Sequence, residues 1–175
     1  MAGRLRGKVC VITGAGSGMG REAAILFSEE GASVCVADVD GAAAEQTAAL
    51  CPGSFAQEVD VAAEASVAAM MDATASRYGG IDVLYNNAGI SPGDDASVLE
   101  TSVEAWDRVQ AVNTKGVFLC CKHGIPHLLD RVEHHVGGAD PRTLGGEQRR
   151  RLATHPAAGA GDHAHLPVQP SHEPS

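Results

Sequence analysis

Between Lys8 and Gly31 the chain passes from an apolar run, K-V-C-V-I-T, through the glycine-rich octapeptide Thr13-Gly14-Ala15-Gly16-Ser17-Gly18-Met19-Gly20, into a segment spaced like a helix. This junction constrains the fold more than any other feature. A run that stays apolar at successive positions suits a strand buried on both faces, as in a parallel sheet, whereas a half-exposed strand would alternate. A parallel strand cannot return through a tight turn, so the chain must cross over the sheet. The segment from Arg21 to Glu30, with Ala23, Leu26 and Phe27 on one face and Gly31 placed to end it, supplies that crossover helix. The intervening glycines let the backbone turn sharply and approach a ligand closely, and free N–H groups at the helix start favour an anion such as a pyrophosphate. A flexible turn with no ligand is the alternative for the loop taken alone.

The alternation continues along the chain. A second strand-like run, Ser33 to Ala37, stops at Asp38, and an Ala-rich helix follows from Ala42 to Leu50. Ser54 to Val59 is a weaker third strand. Glu64 to Tyr78 reads as a helix with Val67, Met70 and Met71 facing inward, closed by Gly79-Gly80. Ile81 to Tyr85 makes a fourth strand that ends in Asn86-Asn87-Ala88-Gly89. After a polar loop, Thr101 and Glu104 have capping-box spacing and open a long helix marked by Trp106, Val109, Val112 and Val117, which Pro126 is expected to end or kink. Strands alternating with helices predict an α/β fold with right-handed crossovers. Trp106 and the valines are expected in the core or on a face shared with a second copy.

Composition divides the chain near residue 130. Residues 1–130 carry 8 basic and 17 acidic side chains and every aromatic residue, so they account for the whole net charge of -9. A surface that acidic repels phosphate backbones, which excludes a primary nucleic-acid role. No apolar run approaches the ~20 residues of a membrane helix, and no signal-peptide core is present, so a cytoplasmic location is expected. The five cysteines follow no ligand spacing and read as reduced thiols, and no metal site is expected. Residues 131–175 hold five basic and five acidic groups, six of the eight histidines and five of the eight prolines. Their large aliphatic residues are too sparse to offset the entropy of ordering, so this tail is predicted to be disordered. His134-His135 and His163-x-His165 lack companions for a metal site, and Arg149 to Arg151 is a short basic run in a neutral tail. Cys120-Cys121 reads as packing.

In open α/β sheets ligands bind outside the carboxyl ends of the strands. Asp38 closes the second strand 18 residues after Gly20, close to the ~20 expected for a carboxylate that takes the ribose hydroxyls of NAD. Such a carboxylate repels a 2'-phosphate, and Ser17 stands where an Arg or Lys could hold one, so NAD is favoured over NADP. Asp38 could instead cap the next helix. Asp60, after the third strand, could accept from an adenine amino group with Val61 packing nearby, or cap the helix that follows.

The glycine loop in its T-G-x-x-x-G-x-G form, Asp38, Asp60-Val61, N-N-A-G at Asn86 to Gly89 and V-N-T-K-G at Val112 to Gly116 together resemble the short-chain dehydrogenase/reductase family over about residues 5–130. The resemblance implies a Rossmann-type doubly wound parallel sheet, of which this chain would hold the first four strands in the order 3-2-1-4, and hydride transfer between a nicotinamide cofactor and a small alcohol or ketone. By motif position, Gly14, Ser17, Gly18, Met19 and Gly20 would line the pyrophosphate, Asp38 the adenosine ribose, Asp60 and Val61 the adenine. Asn87, Ala88 and Gly89 would run beside the cofactor. Asn113 would be the catalytic asparagine that supports a proton-relay water, and the long helix 102–125 would face a second copy in a homo-oligomer.

The rest of the family's catalytic set is missing from these residues. That chemistry needs a Tyr that exchanges the substrate proton, a Lys four positions later that lowers its pKa, and a Ser that polarises the carbonyl. Tyr78 is followed four positions on by Asp82 and Tyr85 by Gly89, and no Lys follows Lys122. Where the family would continue with a fifth strand, this chain has R-V-E-H-H-V. The expectation is a truncated, catalytically impaired relative, with a non-catalytic dinucleotide-binding or partner-binding fragment as the alternative.

Overall fold

The computed structural model describes residues 3–136, with side chains described as far as Arg131. The histidines and arginines singled out beyond that point, and the expected disorder, lie outside the described residues, apart from the backbone of residues 132–136. Four strands, β1 (Val9–Thr13), β2 (Ser33–Asp38), β3 (Phe55–Glu58) and β4 (Val83–Tyr85), alternate with α1 (Gly18–Glu29), α2 (Gly41–Ala48) and α3 (Glu64–Tyr78). All pairings are parallel and the order is β3-β2-β1-β4, with Val11 opposite Cys35 on one side and Leu84 on the other. This is the Rossmann-type arrangement the sequence predicts. Every residue of β1 is buried, which explains why its run does not alternate.

The sheet separates two apolar layers, as a doubly wound fold requires. On one side Val11, Cys35, Val67, Met70, Met71, Ile81 and Leu119 pack together. On the other, Cys10, Ile12, Val34 and Val36 meet Ala24 of α1 and Ala44 of α2. Small residues on those helices let them sit close to the strands. The inward-facing set predicted for α3 is in place, whereas Leu26 of α1 is 48% exposed. The buried face of α1 runs through Gly20 and Ala24, with Ala23, Ile25 and Phe27 packed beside it, and Leu26 falls outside it.

The long helix departs furthest from expectation. It consists of α4 (Val103–Gln110), a wide π-helical turn (Ala111–Lys115) and α5 (Gly116–Val136), and it continues through Pro126. Its N-cap is Ser102, whose hydroxyl accepts from the Ala105 N–H at 3.1 Å. Thr101 instead accepts from Ala96 and donates to the Ser97 carbonyl. Trp106 is 57% exposed and Val117 37%, so neither belongs to the core, while Val109 does.

α5 extends past residue 130 because its far end is anchored. Asp82 lies at the amino end of β4 with a side chain only 6% exposed, and it accepts from the Val9 N–H at 2.9 Å, Lys8 Nζ at 3.0 Å and Arg131 Nε at 3.3 Å. Arg131 also donates to the Gly79 carbonyl. Burial pushes the Asp82 carboxyl up, but the Val9 amide, Lys8 and Arg131 together outweigh it and hold it below the ordinary carboxylate value. Nearer its start, α5 is joined to α3 by Lys122 and His123, both on Glu64. Among the described residues no helix is long and apolar enough to cross a membrane, and no group of three or more His, Cys, Asp or Glu could hold a metal ion.

Candidate functional site

The carboxyl ends of β1, β2, β3 and β4 open onto one cleft of about 380 Å³. β1 runs directly into the glycine loop. Gly14 takes a left-handed backbone (φ +65°), and a Cβ there would lie 2.8 Å from the Ala88 Cα. Gly20, in the first turn of α1, is buried beneath the loop, where a Cβ would overlap the Gly14 carbonyl and lie 2.6 Å from Asn87 Nδ2. The glycines thus bring α1, the loop and the end of β4 closer than any side chain would allow.

The loop is also tied by hydrogen bonds. Thr13 Oγ1 accepts the N–H groups of both Asn87 and Ala88 at 3.1 Å, and Asn87 Nδ2 donates to the carbonyls of Thr13 at 3.0 Å and Gly14 at 3.2 Å. From β2, Asp38 Oδ2 accepts the Gly16 N–H at 2.8 Å and Oδ1 accepts the Asp40 N–H at 3.0 Å. The cap of α2 is Asp40, not Asp38. Asp60 Oδ1 accepts the Ala62 N–H at 2.9 Å in a turn ahead of α3, whose N-cap is Ala63.

Of the eleven residues expected around a cofactor, the cleft is lined by Gly14, Ser17, Met19, Asp38, Asp60, Val61, Asn87, Ala88 and Gly89. Gly18 and Gly20 are not in its wall. Gly18 supplies a left-handed turn (φ +51°) facing open space, and Gly20 is the packing point below. The N-cap of α1, Ser17, makes no side-chain capping bond, and the first turn carries no acidic residue. No acidic side chain of that turn competes for its N–H groups, which suits an anion.

Asn113 stands in the π-helical turn rather than in the cleft wall. Its Oδ1 accepts the Ile90 N–H at 2.8 Å and its Nδ2 donates to the Ile90 carbonyl at 2.9 Å, so its amide clasps the loop after β4 at both backbone groups. Turns of this kind occur frequently at functional sites. Its neighbour Val112 does line the cleft, with Val39, Val59 and Ile90. Sequence reasoning missed those four, and Thr13, because their roles depend on contacts between distant segments. Met19 and Val39, 79% and 70% exposed, form apolar lips at the mouth. Neither tyrosine lines the cleft. Tyr78 donates to the Gly53 carbonyl at 2.7 Å, and the Tyr85 ring stacks on Phe27 at 6.2 Å. Cys120 lies just behind the wall, and burial pushes its thiol up to about 11.

This geometry agrees with comparison against known proteins. The family model described as short chain dehydrogenase matches residues 8–137. The chain belongs to the short-chain dehydrogenase family. Among the family's curated members, the meso-2,3-butanediol dehydrogenase of Serratia marcescens is 44% identical over 146 residues, covering 82% of this chain and 57% of that protein. The 2-(R)-hydroxypropyl-CoM dehydrogenase of Xanthobacter autotrophicus is 41% identical over 128 residues, covering 70% of this chain and 51% of that protein. A crystal structure of the 3-ketoacyl-(acyl-carrier-protein) reductase of Brucella melitensis complexed with NADH superposes with a TM-score of 0.68 at 39% identity, covering 73% of this chain and 52% of that one. This short-chain dehydrogenase chain therefore spans about half the length of the curated relatives it matches.

Proposed function

We propose that the cleft binds a nicotinamide dinucleotide, NAD in preference to NADP, and that the chain is by lineage an oxidoreductase acting on a small alcohol or ketone. The observation that supports this most is the convergence, at the carboxyl ends of four strands, of a glycine cradle that any Cβ would fill with the Asp38 carboxylate. Bound there, the cofactor would supply or accept a hydride. Gly14, Ser17, Gly18, Met19 and the amides opening α1 would meet its pyrophosphate, with Gly20 holding the turn closed. Asp38 would take the adenosine ribose: its oxygens already accept two backbone N–H groups, yet a carboxylate offers about four lone-pair sites, leaving room for two hydroxyls. Asp60 and Val61 would border the adenine, and Asn87, Ala88 and Gly89 would flank the nicotinamide half. Asn113 would set the position of that half's wall through Ile90.

Titration of the protein with NADH and NADPH, read by nicotinamide fluorescence, tests this reading. Saturable NADH binding is expected, and Asp38→Ala should weaken NADH binding by about tenfold or more while leaving NADPH less affected. Equal losses for the two cofactors would refute the assignment.

A second reading, a non-catalytic dinucleotide-binding or partner-binding protein, is favoured by the placement of Tyr78 and Tyr85 away from the cleft. Under it, these residues bind NADH without turnover. The exposed Trp106, Phe118, Ile125 and Leu129 offer a face for a second copy along α4 and α5. Five free thiols, four of them buried, support a reducing, cytoplasmic location.

A further inference from the structure

The sulfur atoms of the chain differ sharply in their access to solvent. There are four methionines and five cysteines. Met70 and Met71 of α3 are fully buried in the core, whereas Met19 is 79% exposed and is the one exposed methionine among the described residues. Four cysteines are buried, and burial pushes the thiols of Cys10 and Cys120 up to about 11 and that of Cys35 up to about 12. Peroxides attack the thiolate rather than the thiol, so these cysteines are poor targets. A thioether has no proton to lose, and access to its lone pairs decides its fate.

The place of Met19 gives that access a consequence. It is the second residue of α1 and lines the cleft together with Val39, the residue after β2. These two lips follow β1 and β2, the inner strands of the order β3-β2-β1-β4, so neither stands at an edge of the sheet. In the same turn Ser17 makes no side-chain capping bond, which leaves the first N–H groups of α1 to whatever enters the cleft.

We propose that Met19 is a redox-sensitive site, whose oxidation to the sulfoxide by a hydroperoxide lowers the affinity of the cleft for a dinucleotide. The inference rests on the cofactor reading of that cleft. In the reaction with hydrogen peroxide, a sulfur lone pair attacks one peroxide oxygen, and the S–O bond forms as the O–O bond breaks. The departing hydroxide takes the proton of the transferred hydroxyl and leaves as water. Sulfur loses two electrons and the peroxide gains them. The product replaces an apolar lip with a polar one, because the S–O bond is strongly dipolar with its negative end on oxygen. At the start of α1 that oxygen repels a pyrophosphate and offers the free N–H groups a competing acceptor. Folding is spared, since the added polarity stays in water.

The test treats the 175-residue protein with hydrogen peroxide at about pH 5, where thiolate is scarce, and follows oxygen uptake at each methionine by peptide mass spectrometry. After the peroxide is removed, NADH binding at neutral pH and the urea unfolding midpoint are measured. Met19 should be oxidised about tenfold or more faster than Met70 and Met71, and saturating NAD should slow its oxidation. The sulfoxide form should bind NADH about fivefold or more weakly at an unchanged midpoint, and methionine sulfoxide reductase with dithiothreitol should restore the affinity. Met19→Leu has no thioether here, so its affinity before and after treatment should be the same, whatever its starting value. That comparison also removes any contribution from Met1 or Cys121. Oxidation of Met70 or Met71 at a comparable rate, or an equal loss of affinity in the treated Met19→Leu protein, would overturn the inference. Untreated protein that fails to bind NADH would overturn the cofactor reading and this inference together. Untreated protein that binds NADH, with a sulfoxide form that binds it equally well, would overturn this inference alone.

Discussion

Replacing Gly20 by alanine probes the site at its tightest point. The added Cβ would overlap the Gly14 carbonyl and lie 2.6 Å from Asn87 Nδ2. The carbonyl is backbone and cannot rotate away, so the loop must open. That movement strains the turn at Gly14 and pulls on the two bonds from Asn87 Nδ2 to the Thr13 and Gly14 carbonyls. Overpacking a tight site costs about 1–3 kcal/mol, and each of the two weakened hydrogen bonds up to about 1 kcal/mol more, for a total of up to about 5 kcal/mol. Against a typical domain stability of about 5–15 kcal/mol, this is a large share. Gly18 is the internal control, because its φ is +51° but nothing lies within 4 Å of an added Cβ. Gly18→Ala should therefore carry only the left-handed backbone penalty, about 1–2 kcal/mol. Urea unfolding followed by circular dichroism measures both variants at constant slope, and NADH titration follows the loop. The expected order is Gly20→Ala well below Gly18→Ala, which in turn lies below the parent. A loss at Gly20 no larger than the loss at Gly18 would refute the view that close approach, rather than backbone freedom, sets the requirement for glycine there.

Thr13→Val keeps shape but removes the acceptor for the Asn87 and Ala88 amides; a loss of about 1–3 kcal/mol in urea unfolding and weaker NADH binding are expected. Arg131→Ala leaves Asp82 with one cationic partner fewer and should cost about 1–3 kcal/mol, whereas Leu129→Ala, at an exposed position, should cost less. Asp82 also predicts an acid dependence. Its folded pKa lies below the ordinary aspartate value of 3.8, so its stabilising contribution is present above that value and is lost as the pH falls through the folded pKa. Asp82→Asn should flatten the stability profile in that window, and an unchanged profile would show that Asp82 does not carry it.

Much of the framework was legible along the chain because parallel strands buried on both faces leave continuous apolar runs. β1 and β2 fall within a residue of their expected bounds, α3 matches end to end, and the strand order follows. α1 begins three residues earlier than its periodicity indicates, since Gly18 and Gly20 are poor helix formers that give the first turn no local signal. The misplacement of Trp106 and Leu26 has a different origin. Helical spacing shows which residues share a face but not whether another element reaches that face.

What the sequence determined by itself is the alternation of strand and helix, the glycine turn after β1 and the acidic residue closing β2, because each is written in neighbouring residues. The tertiary structure alone decided that Thr13 and Asn87 stitch two strand ends together across 74 positions, that Asn113 clasps Ile90, and that Arg131 reaches back to Asp82. It also decided that a proline inside α5 would not end it. Those outcomes depend on which distant groups the fold brings within hydrogen-bond distance, and hydrogen bonds that short in range leave no local pattern to read.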